Sequence, residues 1–434
     1  MRLIGYLAAL MVLTAGIGAS HAKAEPDGTV EYRIQRGDTL YRLSEAYLRD
    51  YSATLAIRRL NRIRDPRRLR PGEILRIPRA LLKYEPVAVS LVAFSGPVRL
   101  TIDGQARAPQ VGMRLGEGDV IQTGASGFLS LSTGRGSTIA IPTNSRARII
   151  DARRYALDDS IDVQVRILAG RGEVRAPTLK GQERFRVGTP VAVTAVRGTE
   201  FRVAFDPQAG RSLTEVIEGT VAVQLDQSET LANADTGVAA GATGIGAVED
   251  LLPAPDIVEG GRIQTEERAV FVIEPLAGAS AYRTQLSRDA GFLEMFGEEV
   301  HETAEVGFAD LADGRYFIRS RGQAQSGLEG NSKVYSFRRK RLGAAAGVEE
   351  SPLADAFKFG WRAEGEGESV HGFQLWKDGE PAALIVDEVA LQGQAIFVGS
   401  LAPATYKWRI AAIQVDEGEF IKVWGPTQEL VVSE

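Results

Sequence analysis

Composition alone closes most routes to nucleophilic and metal chemistry in this chain. Among its 434 residues there is no cysteine, and the histidines are His21, His301 and His371. A catalytic zinc takes three protein ligands, most often histidine, and these three stand far apart in sequence. Thiol nucleophiles, thiolate metal sites and disulfides are excluded outright. No Ser-x-x-Lys or Gly-x-Ser-x-Gly context marks an activated serine. Paired carboxylates of the kind glycosidases use exist as residue types, but no region has the helical length of a lysozyme-like domain. The expectation is a binding protein, not an enzyme, with no metal and no cofactor. The densest charge is Arg58, Arg59, Arg62, Arg64, Arg67, Arg68 and Arg70, set in a chain whose formal net charge is −5. Such a cluster is either a surface that attracts anions or an ordinary solvated face.

The elements that carry these residues follow from periodicity. Arg2, the apolar run Leu3 to Ala19 and Ala22-Lys23-Ala24 have the basic, apolar and small-residue order of a secretory signal peptide. Residues 1–24 are read as that leader, with Glu25 as the new N-terminus; an uncleaved anchor is the alternative. After cleavage no stable transmembrane segment is expected. In residues 25–84, Leu40, Leu43, Ala46 and Tyr47 share one helical face and Thr39 is placed to cap it. A second helix fits Ala53 to Leu60, and strands fit Glu31–Gln35 and Ile74–Pro78, so the order is βααβ.

Residues 85–227 change character. Short alternating runs such as Val98–Ile102 and Phe128–Leu131 are punctuated by Gly, Asp, Asn and Pro, an all-β pattern with tight turns. Residues 228–262 are rich in Ala, Gly, Asp and Thr and read as a linker; residues 341–352, with Gly343-Ala344-Ala345-Ala346-Gly347, read as another. Between and after them lie two similar segments, 263–340 and 353–434. Leu311 to Arg319 parallels Leu401 to Arg409, with Tyr316 and Tyr406 about 90 residues apart, the length of one β-sandwich. The linkers' low apolar content predicts that residues 263–434 fold separately.

Three stretches carry family resemblances. Tyr32-Arg33-Ile34-Gln35-Arg36-Gly37-Asp38-Thr39-Leu40, then Leu60-Asn61, Arg64-Asp65-Pro66 and Leu69 to Pro78, resemble a LysM domain. That resemblance implies binding of N-acetylglucosamine polymers, peptidoglycan or chitin, in a shallow groove between two loops. Here the first loop is Gly37, Asp38, Thr39 and Leu40. The second supplies Asn61, Ile63, Arg64 and Pro66, with Ile63 placed for an acetyl contact. Asp38 and Thr39 also have the residue types of helix caps, and Asn61 that of a turn residue. Gly116 to Gly124, Phe128 to Ser137, Ile139 to Ser145, Gly170 to Val174, Phe185 to Pro190, Ala195 to Phe201 and Glu218 to Val221 are similar to a FecR-type domain. That sensor type carries a cytoplasmic anti-sigma segment and a transmembrane helix before the domain; neither is expected here, and its sensing role is not carried over. Arg197 and Glu200 bracket a Gly-Thr turn and suit an ion pair better than a ligand site.

Residues 263–340 and 353–434 resemble fibronectin type III modules. Tyr316 and Tyr406 have the spacing of the tyrosine corner, and Trp361 suits a buried early aromatic. Trp408 alternates with Tyr406 and Ile410 and belongs to a core, whereas Trp376 suits a surface contact. The fold class is thus mainly β and multidomain: a small βααβ module, a central all-β roll or sandwich, and two C-terminal β-sandwiches. The implied protein is exported to the periplasm or cell envelope, where its partner is peptidoglycan. The alternative is an envelope signalling or assembly protein whose β modules bind a protein; a cell-wall glycosidase ranks below both. Nucleic acid is not an expected partner of an exported chain.

Overall fold

The computed structural model describes residues 28–196 and 198–433; the leader assigned to residues 1–24, Glu25 and Arg197 lie outside the described residues. The described chain divides into two units. The first runs to Glu85 and includes Tyr155–Asp159; the second comprises Pro86–Arg154 and everything from Ser160 onward.

In the first unit, β1 (Thr29–Arg33) pairs antiparallel with β2 (Ile74–Pro78), Thr29 opposite Pro78 and Arg33 opposite Ile74. Between them lie α1 (Leu40–Tyr47) and α2 (Thr54–Leu60). Apolar residues alternate inward from the strands and meet the helices in one small core of Val30, Leu40, Leu43, Ile57, Leu75 and Ile77. Thr39 caps α1, its Oγ1 accepting from Arg42 N at 3.2 Å. Ala46, expected on the buried face, is exposed; Ser44, one turn on from Leu40, takes the buried place. The core also draws on a distant piece of chain. Tyr155 is 1% exposed within it and Leu157 packs beside it. The Arg79 guanidinium lies 5.3 Å from the centre of the Tyr155 ring, and the Tyr84 ring meets it edge-on.

The second unit is built from strands. Its central domain closes as a barrel-like roll around Leu91, Ile121, Ile149, Val165, Phe201, Val221 and their neighbours. One strand, Ile161–Arg175, serves both layers. Its first half runs parallel to Arg184–Gly188, and its second half pairs antiparallel with Glu200–Asp206. Gly170 sits at the crossover with φ +74°, where a Cβ would fall 2.4 Å from Ser145 Oγ. Only glycine meets both requirements.

Residues 228–262 are not a linker. Ser228–Asn233, Thr236–Gly241 and Gly244–Asp250 are strands of the central domain, and Ile257–Val258 opens the next one. The small residues mark close packing, not flexibility: a Cβ on Gly237 would lie 2.8 Å from Leu328 of the first sandwich. Residues 341–352 are likewise not a linker. Gly343–Glu349 is a strand paired with Ala356–Glu364, and Ala344 and Ala346 pack on the last core.

Each C-terminal module is a two-sheet sandwich. The first packs a sheet of three strands against one of four, and the second a sheet of three against one of five. Tyr316 donates to Ala312 O at 3.0 Å and Tyr406 to Ala402 O at 2.8 Å, so both tyrosine corners are formed. Trp361 and Trp408 are buried. Trp376 is half-buried on the outer sheet face, near the Arg409 guanidinium, which packs more closely on Trp424. The fold class thus stands as expected: mainly β, with a small helical N-terminal module.

The first sandwich does not stand apart from the central domain. Phe292 packs with Phe128, Ala140 and Met295 in a small shared core, and Ser130 Oγ donates to Leu293 O at 2.7 Å.

Candidate glycan-binding site

The turn after β1 is held by Asp38. Its Oδ2 accepts from Gln35 N at 2.7 Å and from the Tyr32 hydroxyl at 2.9 Å. Asp38 therefore closes the turn and does not cap α1; Thr39 alone does that. The Tyr32 hydroxyl is pushed up to about 12 by burial and by the carboxylate it donates to. Gly37 stands at the apex with φ +91°, and a Cβ there would meet only the tip of Arg42, 3.9 Å away. The space outside Gly37 is open. Arg42 Nη1 donates to Gly37 O at 3.3 Å and steadies the apex.

The second loop is fastened to the first by one backbone bond, Leu40 N to Pro66 O at 3.0 Å. The Leu40 side chain is buried, so it forms the floor and offers no surface of its own. Asn61 is fully engaged in holding the fold. Its Nδ2 donates to Ile57 O and Arg76 O, and its Oδ1 accepts from Arg76 N at 2.8 Å. This amide ties the end of α2 to β2. Ile63 is half-buried against the core, Pro66 is half-buried, and Arg64 is exposed. Arg67 N bonds Asp65 Oδ1 at 2.9 Å and shapes the loop.

The sequence-derived set therefore comes together as two adjoining loops, but its members divide by availability. Gly37, Ile63, Arg64 and Pro66 present surface, whereas Asp38, Thr39, Leu40 and Asn61 spend their groups on building the loops. Tyr32 was missed by the sequence reading; only its position six residues before Asp38 hinted at the bond. Around the loops, residues 28–85 carry thirteen arginines and one lysine against seven acidic residues. Arg36, Arg59, Arg62, Arg64, Arg67 and Arg68 make no ion pair among the described residues.

Elsewhere, Glu200 forms its ion pair with Arg175 on the neighbouring strand at 2.8 Å. His301 is held by Thr284 Oγ1 and Thr303 O, and His371 is buried in the other sandwich. Among the described residues no group of three or more His, Asp or Glu is placed to hold a metal, and no helix is long and apolar enough to cross a membrane.

No curated protein matches the chain. Among solved structures, an anti-sigma factor candidate from Parabacteroides distasonis ATCC 8503 is 16% identical over 30% of this chain, with a TM-score of 0.26; the match spans 59% of that protein's own length. The FN1–FN3 domains of chicken CNTN1 are 12% identical over 54% of this chain and 98% of theirs, TM-score 0.24. A two-domain fibronectin type III segment of chicken tenascin is 13% identical over 42% of this chain and all of its own, TM-score 0.20. The LysM domain family matches residues 32–78 and the FecR protein family residues 119–222.

Proposed function

We propose that this chain is an exported, non-catalytic protein of the bacterial cell envelope that binds peptidoglycan through its LysM domain. LysM and FecR are non-catalytic families, typically associated with the envelope. The observation that carries the reading is the pair of loops joined by the Leu40–Pro66 bond, with an open backbone turn at Gly37. Exposed amides at such a turn suit the N-acetyl carbonyls of a glycan, and the half-buried Ile63 and Pro66 suit acetyl methyls. The FecR domain and the sandwiches form the scaffold carried at the wall.

The test is sedimentation of the full-length mature protein with insoluble peptidoglycan, comparing wild type with Gly37→Val. A valine at φ +91° is strained by about 1–3 kcal/mol and adds bulk where the ligand would lie. Loss of co-sedimentation, with the unfolding of the other domains unchanged, supports the reading. Undiminished binding by a folded Gly37→Val protein refutes it.

A second reading, an envelope signalling or assembly role, draws on the edge strand Leu384–Leu391 of the last sandwich. Ile385 and Val389 stand exposed there, and unpaired edges invite strand addition. A proline at position 386 that abolishes assembly into a larger envelope complex would favour this role; an unchanged complex would remove it.

A further inference from the structure

Between the central domain and the first sandwich lies a cavity of about 360 Å³. Behind it is a buried charge network that spans both domains. It contains five guanidinium groups, Arg171, Arg202, Arg283, Arg319 and Arg321, and four carboxylates, Glu173, Glu215, Glu298 and Glu329. All nine side chains are 15% exposed or less. The network is one negative charge short of balance. A buried charge without compensation costs several kcal/mol, so the location of the excess matters.

The pairing locates it. Arg321 contacts Glu173 at 2.6 Å and Glu329 at 3.2 Å. Arg283 contacts Glu298 at 2.7 Å and Glu329 at 2.6 Å. Arg171 contacts Glu329 at 3.1 Å and Glu215 at 3.6 Å. These three arginines have two carboxylates each. Arg202 has Glu215 alone, at 2.6 Å, and Arg319 has Glu173 alone, at 2.5 Å. Those two are also the arginines of the network that line the cavity. Their remaining bonds go to Glu329 O and Gly330 O for Arg202, and to Gln285 and Met295 for Arg319. Nη1 of each makes no hydrogen bond among the described residues, and neither is sealed from solvent.

The protonation balance agrees. Burial lowers both Arg202 and Arg319, the latter to about 10, while the flanking carboxylates hold Arg283 and Arg321 above the ordinary value against the same burial. The other charges at the cavity add no net compensation at depth. Arg175 and Glu200 pair with each other, and Asp235 is exposed and accepts from Asn331 at 2.7 Å. Asn331 Oδ1 is buried without a partner. The lining also includes the apolar side chains of Phe201, Phe292 and Val334. Phe292 holds φ +55°, a strained value for an aromatic residue. Its ring lies 3.9 Å beneath the Arg319 guanidinium. The loop that holds it is fixed by Asp289, which accepts from Gly291 N, Leu293 N and Glu294 N.

We propose that this cavity is a binding site for a small organic carboxylate, its anionic end against the free Nη1 edges of Arg202 and Arg319 and its apolar body against Phe292 and Val334. The ligand supplies the missing negative charge and bridges two domains, so its binding stabilises their junction.

The test is titration calorimetry and thermal unfolding of the full-length protein with acetate, butyrate and benzoate. Benzamide serves as the neutral isostere and inorganic phosphate as an anion without an apolar body. At least one carboxylate is expected to bind and raise the unfolding temperature, with benzamide weaker than benzoate by about tenfold or more, the size of a charge-assisted hydrogen bond. Arg319→Gln is expected to remove the preference for benzoate over benzamide. Val334→Trp, on an exposed strand position outside the network, is expected to weaken carboxylate binding by a similar factor while leaving the ligand-free unfolding temperature unchanged. If Arg319→Gln does not fold, Val334→Trp decides alone. Binding by none of the three carboxylates, equal binding of benzoate and benzamide, tighter binding of phosphate than of any carboxylate, or an unaltered titration in Val334→Trp overturns the proposal.

Discussion

Arg321 of the first sandwich donates through Nη2 to Glu173 of the central domain at 2.6 Å, across 148 residues of chain. This bond, repeated in kind by Arg319 on the same carboxylate, joins two domains that composition had separated. Removing one partner of a buried pair leaves the other desolvated, which costs about 3–5 kcal/mol. Arg321→Ala should therefore lower the stability of the second unit by about that amount in urea unfolding followed by tryptophan fluorescence. A change within about 0.5 kcal/mol, the size of a surface substitution, would show that the pair is not energetically coupled to the fold.

The same network sets an acid limit. Burial by itself would raise the Glu173 and Glu329 carboxyls, but the surrounding arginines overcome it and hold both well below the usual range. A carboxylate depressed in the folded state contributes stability that is fully present above its unfolded value, about 4.3, and lost as pH falls toward the folded value. The denaturation midpoint of the second unit should hold steady near neutrality and decline progressively below about pH 4.5. A midpoint independent of pH down to 3 would contradict this assignment.

A fragment of residues 263–434 exposes Phe292 and leaves Arg319 and Arg321 without Glu173 and the cover of the central domain. The separate folding suggested by composition is therefore not expected. The fragment should unfold at lower urea than the same residues in the full chain, or self-associate, as read by sedimentation velocity and circular dichroism. Equal midpoints would restore the view of independent modules.

The LysM unit depends on a residue outside its sequence match. Tyr155 is buried in its core beside Arg79 and Tyr84. Truncating a buried large aromatic costs about 3–5 kcal/mol. Tyr155→Ala should destabilise the LysM unit, seen as faster amide exchange at Leu75 and Ile77. Residues 25–84 alone should be less stable than the unit in the full chain. Unchanged exchange would mean that the tyrosine only rests on the module.

Charge and groove can be separated by salt. Arg67 and Arg68 are exposed beside the second loop and make no ion pair among the described residues. Replacing both with alanine should weaken peptidoglycan binding mainly at low ionic strength, because exposed charges are screened over about 10 Å at 0.1 M. Abolition of binding at every salt concentration would place recognition in the charge and not in the Gly37 turn.

What the sequence determined by itself was whatever depends on neighbours along the chain. The βααβ order and the cap at Thr39 are local, as are the Tyr316 and Tyr406 corners, each bonding a carbonyl four residues back. The buried Trp408 was legible from alternation with Tyr406 and Ile410. The two loops of the candidate site came from the LysM resemblance of the stretches around Gly37 and Asn61. What each residue does there was not. Asp38 and Asn61 have the residue types of ligand contacts, but their atoms are taken by Tyr32, Gln35, Ile57 and Arg76, and hydrogen-bond occupancy belongs to the folded state. Tertiary structure alone decided the rest. Ala- and Gly-rich segments at 228–250 and 343–349 read as flexible because small residues are ambiguous: they suit a loose chain and a tightly packed strand equally, and only Leu328 pressing on Gly237 distinguishes the two. No local pattern sets Glu173, Arg202, Arg319 and Glu329 apart from ordinary surface charges. They become a buried network because partners more than a hundred residues apart meet at a domain junction, and no local pattern encodes which charge will lose its water.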